Sequence, residues 1–171
     1  MIDKTVEKAL NEQINEELNS YYIYLSMEAY FESESLDGFA TWMELQAQEE
    51  MEHAMRIFRY LNERGGRVKL QPIDEPKADW SSPQEAFEDA YEHEQYITNK
   101  IDELVDLAEE KNDKATRNML EWFVEEQVEE EASTEDIVDK IKMVGESGAG
   151  LLALNNTLGQ RQVTDATDQE E

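Results

Sequence analysis

Glu50 and His53 form a Glu-x-x-His pair, and Gln127 and Glu130 repeat the same i, i+3 spacing. On a helix, that spacing stacks two side chains on one face, a turn apart. Glu17 and Glu94 add carboxylates from two other stretches of helical pattern. A carboxylate on an apolar helix face is costly to bury unless it is neutralised or paired. Four glutamates and one imidazole meeting halfway along a bundle are satisfied by two metal ions that share a bridging carboxylate. Such oxygen and imidazole donors suit iron or manganese, with zinc as a competitor. The chain has no cysteine, which excludes disulfides, thiolate metal centres and thiol nucleophiles.

These residues interrupt four otherwise apolar stripes. The first reads Leu10, Ile14, Glu17, Tyr21, Tyr24, and the second Phe39, Met43, Glu50, His53, Ile57, Leu61. The third reads Phe87, Ala90, Glu94, Ile97, Ile101, Leu104, and the fourth Leu120, Phe123, Gln127, Glu130, Ile137, Ile141. Spacings of three and four mark the buried face of a helix. All four stripes break at matching depth, and that coincidence carries more weight than any single motif. Tyr24 lies two turns after Glu17 and is placed to hydrogen-bond a ligand or bound oxygen. His93 points about 100° away from Glu94 on the same helix and is expected at the surface. Trp122 is expected to pack in the core. Glu49, Glu126 and Glu129 flank the central residues on adjacent faces, where they form either a third, weaker metal site or a solvated acidic edge.

The elements that must position these groups are helices. The first spans about residues 3–33. Ser35 is expected to cap the second, which ends at Gly65-Gly66. Ser82-Pro83-Gln84-Glu85 signals the start of the third, with a serine cap, a first-turn proline and a capping-box glutamate. Asn112-Asp113 marks a short turn into the fourth helix, which runs to about Gly145. Gly145, Gly148 and Gly150 break the pattern before a short fifth helix carrying Leu151, Leu152, Leu154 and Leu158. A helix of about 28 residues is roughly 42 Å long, and the linker over 65–82 can extend to roughly 59 Å. Hairpin loops in bundles need only about 2–8 residues. The long linker therefore predicts a crossover that sets the third helix parallel to the second. The fold class is all-α, with residues 1–160 as one domain and 161–171 as an acidic, disordered tail.

Composition limits the partners. The chain of 171 residues carries 42 acidic and 15 basic residues, a formal charge of −27. Nucleic-acid binding is opposed by that charge, while cation attraction and solubility are favoured. Most of these acids form a solvated surface, and a saline cytoplasm is one condition that suits it. No apolar run reaches the length of a membrane span, and no secretory leader is evident. A cytoplasmic location is expected.

At its central residues the chain resembles non-haem ferritin of the prokaryotic type, over about residues 1–160. The resemblance implies a ferritin-like four-helix bundle with a short fifth helix, assembled as a homo-oligomeric shell of 24 subunits around an iron mineral. It implies ferroxidase activity: two irons per subunit, oxidised from Fe2+ to Fe3+ with O2 or H2O2. By this resemblance Glu17, Glu50 and His53 hold one iron, and Glu50, Glu94 and Glu130 the other, with Glu50 bridging. Gln127 matches the family's amide near oxygen and Tyr24 its tyrosine. Glu49, Glu126, Glu129 and Glu130 match a third iron site. Haem is not expected: haem-binding relatives carry a second Glu-x-x-His on the fourth helix, where this chain has Glu130. Animal ferritins place acidic pores near the start of the fourth helix. Arg117 and Leu120 fall there in this chain, with Asp113 and Glu121 nearby, so a different iron entry route is expected.

Overall fold

The computed structural model describes residues 2–162. It contains five helices: α1 Lys4–Ser33, α2 Asp37–Glu63, α3 Pro83–Glu110, α4 Lys114–Val144 and α5 Gly148–Leu158. No strand occurs among the described residues.

Local chemistry sets most of the boundaries. Asp3 caps α1 by accepting from the Thr5 N–H at 2.8 Å. Gly65, at φ 73°, ends α2, and Gly66 N–H closes onto the Leu61 carbonyl at 3.0 Å. Ser82 Oγ accepts from Glu85 N–H at 3.1 Å, with Pro83 in the first turn of α3. The Glu85 carboxylate reaches one residue further back than a capping box requires and accepts from the Ser81 N–H at 2.7 Å. Asp113 caps α4 through the Thr116 N–H at 3.1 Å and pairs with Arg64 at 3.0 Å, tying the end of α2 to the α3–α4 turn. Gly148 and Gly150 lie inside the first turn of α5, which Ser147 caps.

Ser35 does not cap α2. It sits at φ 58°, and the residue preceding α2 is Leu36, which makes no side-chain cap bond. The N–H groups of Gly38 and Phe39 in the first turn instead donate to Asn155 Oδ1 of α5, at 2.9 and 3.2 Å. The fifth helix thus supplies the cap that the local sequence lacks.

Helix directions follow from the cross-helix bonds. Glu16, Ser20 and Tyr24 of α1 meet Tyr96, His93 and Glu94 of α3, so those two helices run antiparallel. The short turn between α1 and α2 makes them antiparallel as well, and α2 and α3 are therefore parallel, as the long linker predicts. The crossover runs along α1. Asn11 binds the Arg67 carbonyl and the Lys69 N–H, Ser26 donates to the Lys77 carbonyl, and Trp80 stacks edge-on against Tyr30.

The core falls into two apolar clusters. One gathers Tyr30, Phe31, Phe39, Trp42, Phe87 and Ile141, with ring centroids of Phe31, Phe39 and Phe87 within 5.8 Å of one another. The other gathers Leu10, Ile57, Leu61, Ile101, Leu104 and Leu120. Leu120 is fully buried there, while Arg117 is half-buried and paired with Glu109 and Glu121. Of the two residues aligned with the animal pores, Leu120 is therefore core. Between the clusters lies a layer of polar side chains.

Candidate metal centre

Each of the four long helices contributes to that layer, and Glu17, Glu50, His53, Glu94, Gln127 and Glu130 are all buried in it. Burial of a carboxylate favours its neutral form. Desolvation pushes Glu17, Glu50, Glu94 and Glu130 up to about 8, reinforced by their mutual repulsion. The layer thus holds protons that a cation can displace.

Two groups of potential ligands come within 4.8 Å of one another: Glu17 with Glu50 and His53, and His53 with Glu126 and Glu130. His53 Nδ1 lies 3.5 Å from Glu50 Oε2 and 3.9 Å from Glu17 Oε2. Neither His53 Nδ1 nor Glu17 Oε2 has a hydrogen-bond partner, although both atoms are buried. Buried polar atoms of native proteins are normally satisfied. Two such atoms aimed at one point, beside a third carboxylate, fit a hard or borderline metal ion.

The remaining ligand candidates are held by neighbours. Glu94 accepts a short hydrogen bond from the Tyr24 hydroxyl and a longer one, 3.2 Å, from Gln127 Nε2. Burial among carboxylates pushes the Tyr24 phenol well above its usual range, so it stays a donor. Gln46 Nε2 donates to both Glu50 Oε1 at 2.9 Å and Glu130 Oε2 at 2.8 Å. Gln13 Nε2 donates to Glu17 Oε1 at 2.8 Å. Neither Gln13 nor Gln46 stands out by residue type, yet each precedes its glutamate by four residues, the spacing of same-face neighbours.

The flanking acids separate. Glu126 is half-buried and faces His53 and Glu130. Glu49 is paired with Arg161, and Glu129 is exposed. Neither Glu49 nor Glu129 joins the two ligand groups found among the described residues. Arg161, the first residue of the expected tail, packs against α2; the tail from residue 163 lies outside the described residues. His93 departs from its expected place at the surface. Its ring is wedged between α1 and α3, 2.7 Å from Ser20 Oγ, edge-on to Tyr24 and stacked on Tyr96. Burial drives it down to about 4 and keeps it neutral. Small Ser20 on α1 makes room for it. Trp122 packs edge-on against His53 with centroids 5.3 Å apart and carries Arg56 over its ring. A cavity of about 420 Å³ between α3 and α4 reaches Gln127, with Thr98 and Glu131 on its wall.

A four-helix bundle with a crossover and a buried layer of glutamates and one histidine has the architecture of the ferritin-like class of helical bundles. The pattern of the ferritin-like domain matches residues 7–144. The chain is 47% identical over 161 residues to the bacterial non-heme ferritin of Bacteroides fragilis (strain 638R), covering 94% of this chain and all of that one. It is 45% identical over 151 residues to that of Campylobacter jejuni, covering 88% and 90%. The open-pore ferritin of the hyperthermophilic archaeon Archaeoglobus fulgidus superposes with a TM-score of 0.94 at 51% identity, covering 95% and 99%. A closed form of that ferritin, engineered by mutagenesis, gives 0.94 at 52%, covering 96% and 100%. The chain belongs to the ferritin family, whose business is iron storage. No helix among the described residues is long and apolar enough to cross a membrane.

Proposed function

We propose that this ferritin subunit is a ferroxidase. It binds Fe2+ at a two-ion centre, oxidises it with O2 or H2O2, and passes Fe3+ to a mineral inside a shell of 24 subunits. The observation that carries the reading is the pair of unpartnered buried atoms, Glu17 Oε2 and His53 Nδ1, beside Glu50. In this reading Glu17, Glu50 and His53 hold one iron, and Glu50, Glu94 and Glu130 the other. Tyr24 and Gln127 orient Glu94, while Gln46 spans Glu50 and Glu130. The cytoplasm is the compartment this role implies.

Iron is the substrate. Its binding releases protons that the raised carboxylates hold near neutral pH. Anionic oxygen ligands stabilise Fe3+ over Fe2+ and so favour loss of an electron from each iron. Two Fe2+ give up two electrons to one O2, which takes up two protons to form H2O2. With H2O2 as oxidant, the same two electrons and two protons give two waters. Adjacent ions allow this transfer without release of a one-electron oxygen radical. No general base is needed.

The test is a Glu50→Ala, His53→Ala double variant, followed at near-ultraviolet wavelengths after aerobic addition of Fe2+. The expected result is an assembled protein whose fast oxidation phase is lost. Fast oxidation at the wild-type rate overturns the site assignment. An assembled wild-type protein that binds Fe2+ without consuming oxygen leaves a cation-sequestering bundle in place of an enzyme.

A further inference from the structure

Arg161 follows α5 and lays its guanidinium against Trp42, Gln46 and Glu49 of α2. Nη1 donates to the Trp42 carbonyl at 3.2 Å and to Gln46 Oε1 at 3.0 Å. Nη2 pairs with Glu49 Oε2, and the guanidinium carbon sits 4.4 Å above the Trp42 ring. The side chains of Arg161 and Glu49 are only 19% and 17% exposed.

This contact decides how Gln46 faces. A guanidinium only donates, so the amide must turn its oxygen toward Arg161. Its nitrogen then faces the layer, where one N–H goes to Glu50 and the other to Glu130. A flipped amide would take both N–H donors away from Glu50 and Glu130 and leave Arg161 facing an N–H group. The planar fork of the Arg161 guanidinium suits a carboxylate. On this side Glu49 is the α2 acid that an ion bound outside the central pair could recruit, beside Glu126 and Glu130 of α4. It is already occupied by a cation of the chain's own.

We infer that Arg161 stands where a third metal ion would bind: by tying off Glu49 and orienting Gln46, it limits this cluster to two ions per subunit. The inference rests on the two-ion reading above. Arg161 is a positioning residue, acting on Glu50 and Glu130 through Gln46.

Anaerobic titration calorimetry of the assembled protein tests it, with Fe2+ and with Zn2+ as a redox-inert probe. Salt is kept high enough to screen the surface acids. Wild type and Arg161→Lys, which retains the charge, are expected to bind two ions per subunit at the tight sites. Arg161→Met is expected to gain a third, which Glu49→Gln in the same chain removes again. Glu49→Gln alone is expected to leave the count at two. It tests the inference even where Arg161→Met does not assemble, because a count lowered by this change alone makes Glu49 a working ligand and overturns the proposal. So does a third tight ion in wild type, or an assembled Arg161→Met that stays at two. A wild type that binds no tight ion removes the two-ion reading itself, and this inference with it.

Discussion

At the scale of single residues, the centre is a set of acids kept neutral by burial. Glu17, Glu50, Glu94 and Glu130 rise from an ordinary value of 4.5 to about 8 in the folded chain. Between those values the folded state holds protons that the unfolded state has lost. Stability therefore falls as pH rises through this window, and is greatest toward its acidic end. Metal-free protein is expected to melt at a lower temperature at pH 8 than at pH 5.5, by calorimetry. Saturating metal replaces the protons and should flatten the dependence. Glu50→Gln with Glu94→Gln should flatten it too, in the metal-free protein, by removing two titrating groups. An unchanged slope in that variant would place the proton uptake elsewhere. Each central glutamate also has an amide or hydroxyl partner: Gln13 for Glu17, Tyr24 and Gln127 for Glu94, and Gln46 shared by Glu50 and Glu130. Those partners keep the acids aimed inward before metal arrives, which is preorganisation in the sense that matters for affinity.

At the scale of elements, the dependence of α2 on α5 is the feature with the clearest test. Asn155 caps α2 across 117 residues of chain. Asn155→Ala should cost about 1 kcal/mol, the usual loss for a removed cap, read as a lower melting temperature. Gly38 shows how closely the two helices approach: a Cβ there would lie 1.7 Å from the Asn155 carbonyl oxygen. Gly38→Ala should therefore displace α5 and speed amide exchange over 148–158. Protection equal to wild type would show that the helices can part without loss. The limits of sequence reading lie in the same place. The stripes, the crossover and the interrupted layer were legible because helical periodicity and loop length are local properties. Glu50 and His53 stood out because their spacing coincides with breaks at matching depth in the other three stripes. The Asn155 cap and the Arg161 contact pair residues more than a hundred positions apart, and neither partner has a local need for the other. Ser35 looked like a cap by type, but the turn from Phe31 to Leu36 holds it in a left-handed conformation. His93 looked exposed because the stripe on α3 is narrower than the arc that α1 covers.

At the scale of the whole molecule, charge and assembly dominate. A net charge of −27 repels itself, and added salt screens that repulsion. The melting temperature is expected to rise from low to molar salt, while initial Fe2+ uptake slows as long-range attraction is screened. A melting temperature that falls with salt would mean that ion pairs such as Arg64–Asp113 outweigh the repulsion. Light scattering should find a particle on the order of 480 kDa for a closed octahedral shell of 24 chains. A smaller closed particle with fast oxidation would leave a dimetal oxidase that does not store its product.

The division of the core into two apolar clusters has a mechanical consequence. Oily contact does not run unbroken from one end of the bundle to the other; it stops at a seam of acids. Without metal, the two ends are coupled mainly by helix backbone and amide bonds, so each can loosen on its own. Ions held as proposed by Glu17, Glu50, Glu94 and Glu130 would rivet all four helices at the seam. Metal loading should therefore turn two partly independent opening events into one cooperative unit, seen as amide exchange that slows together on both sides.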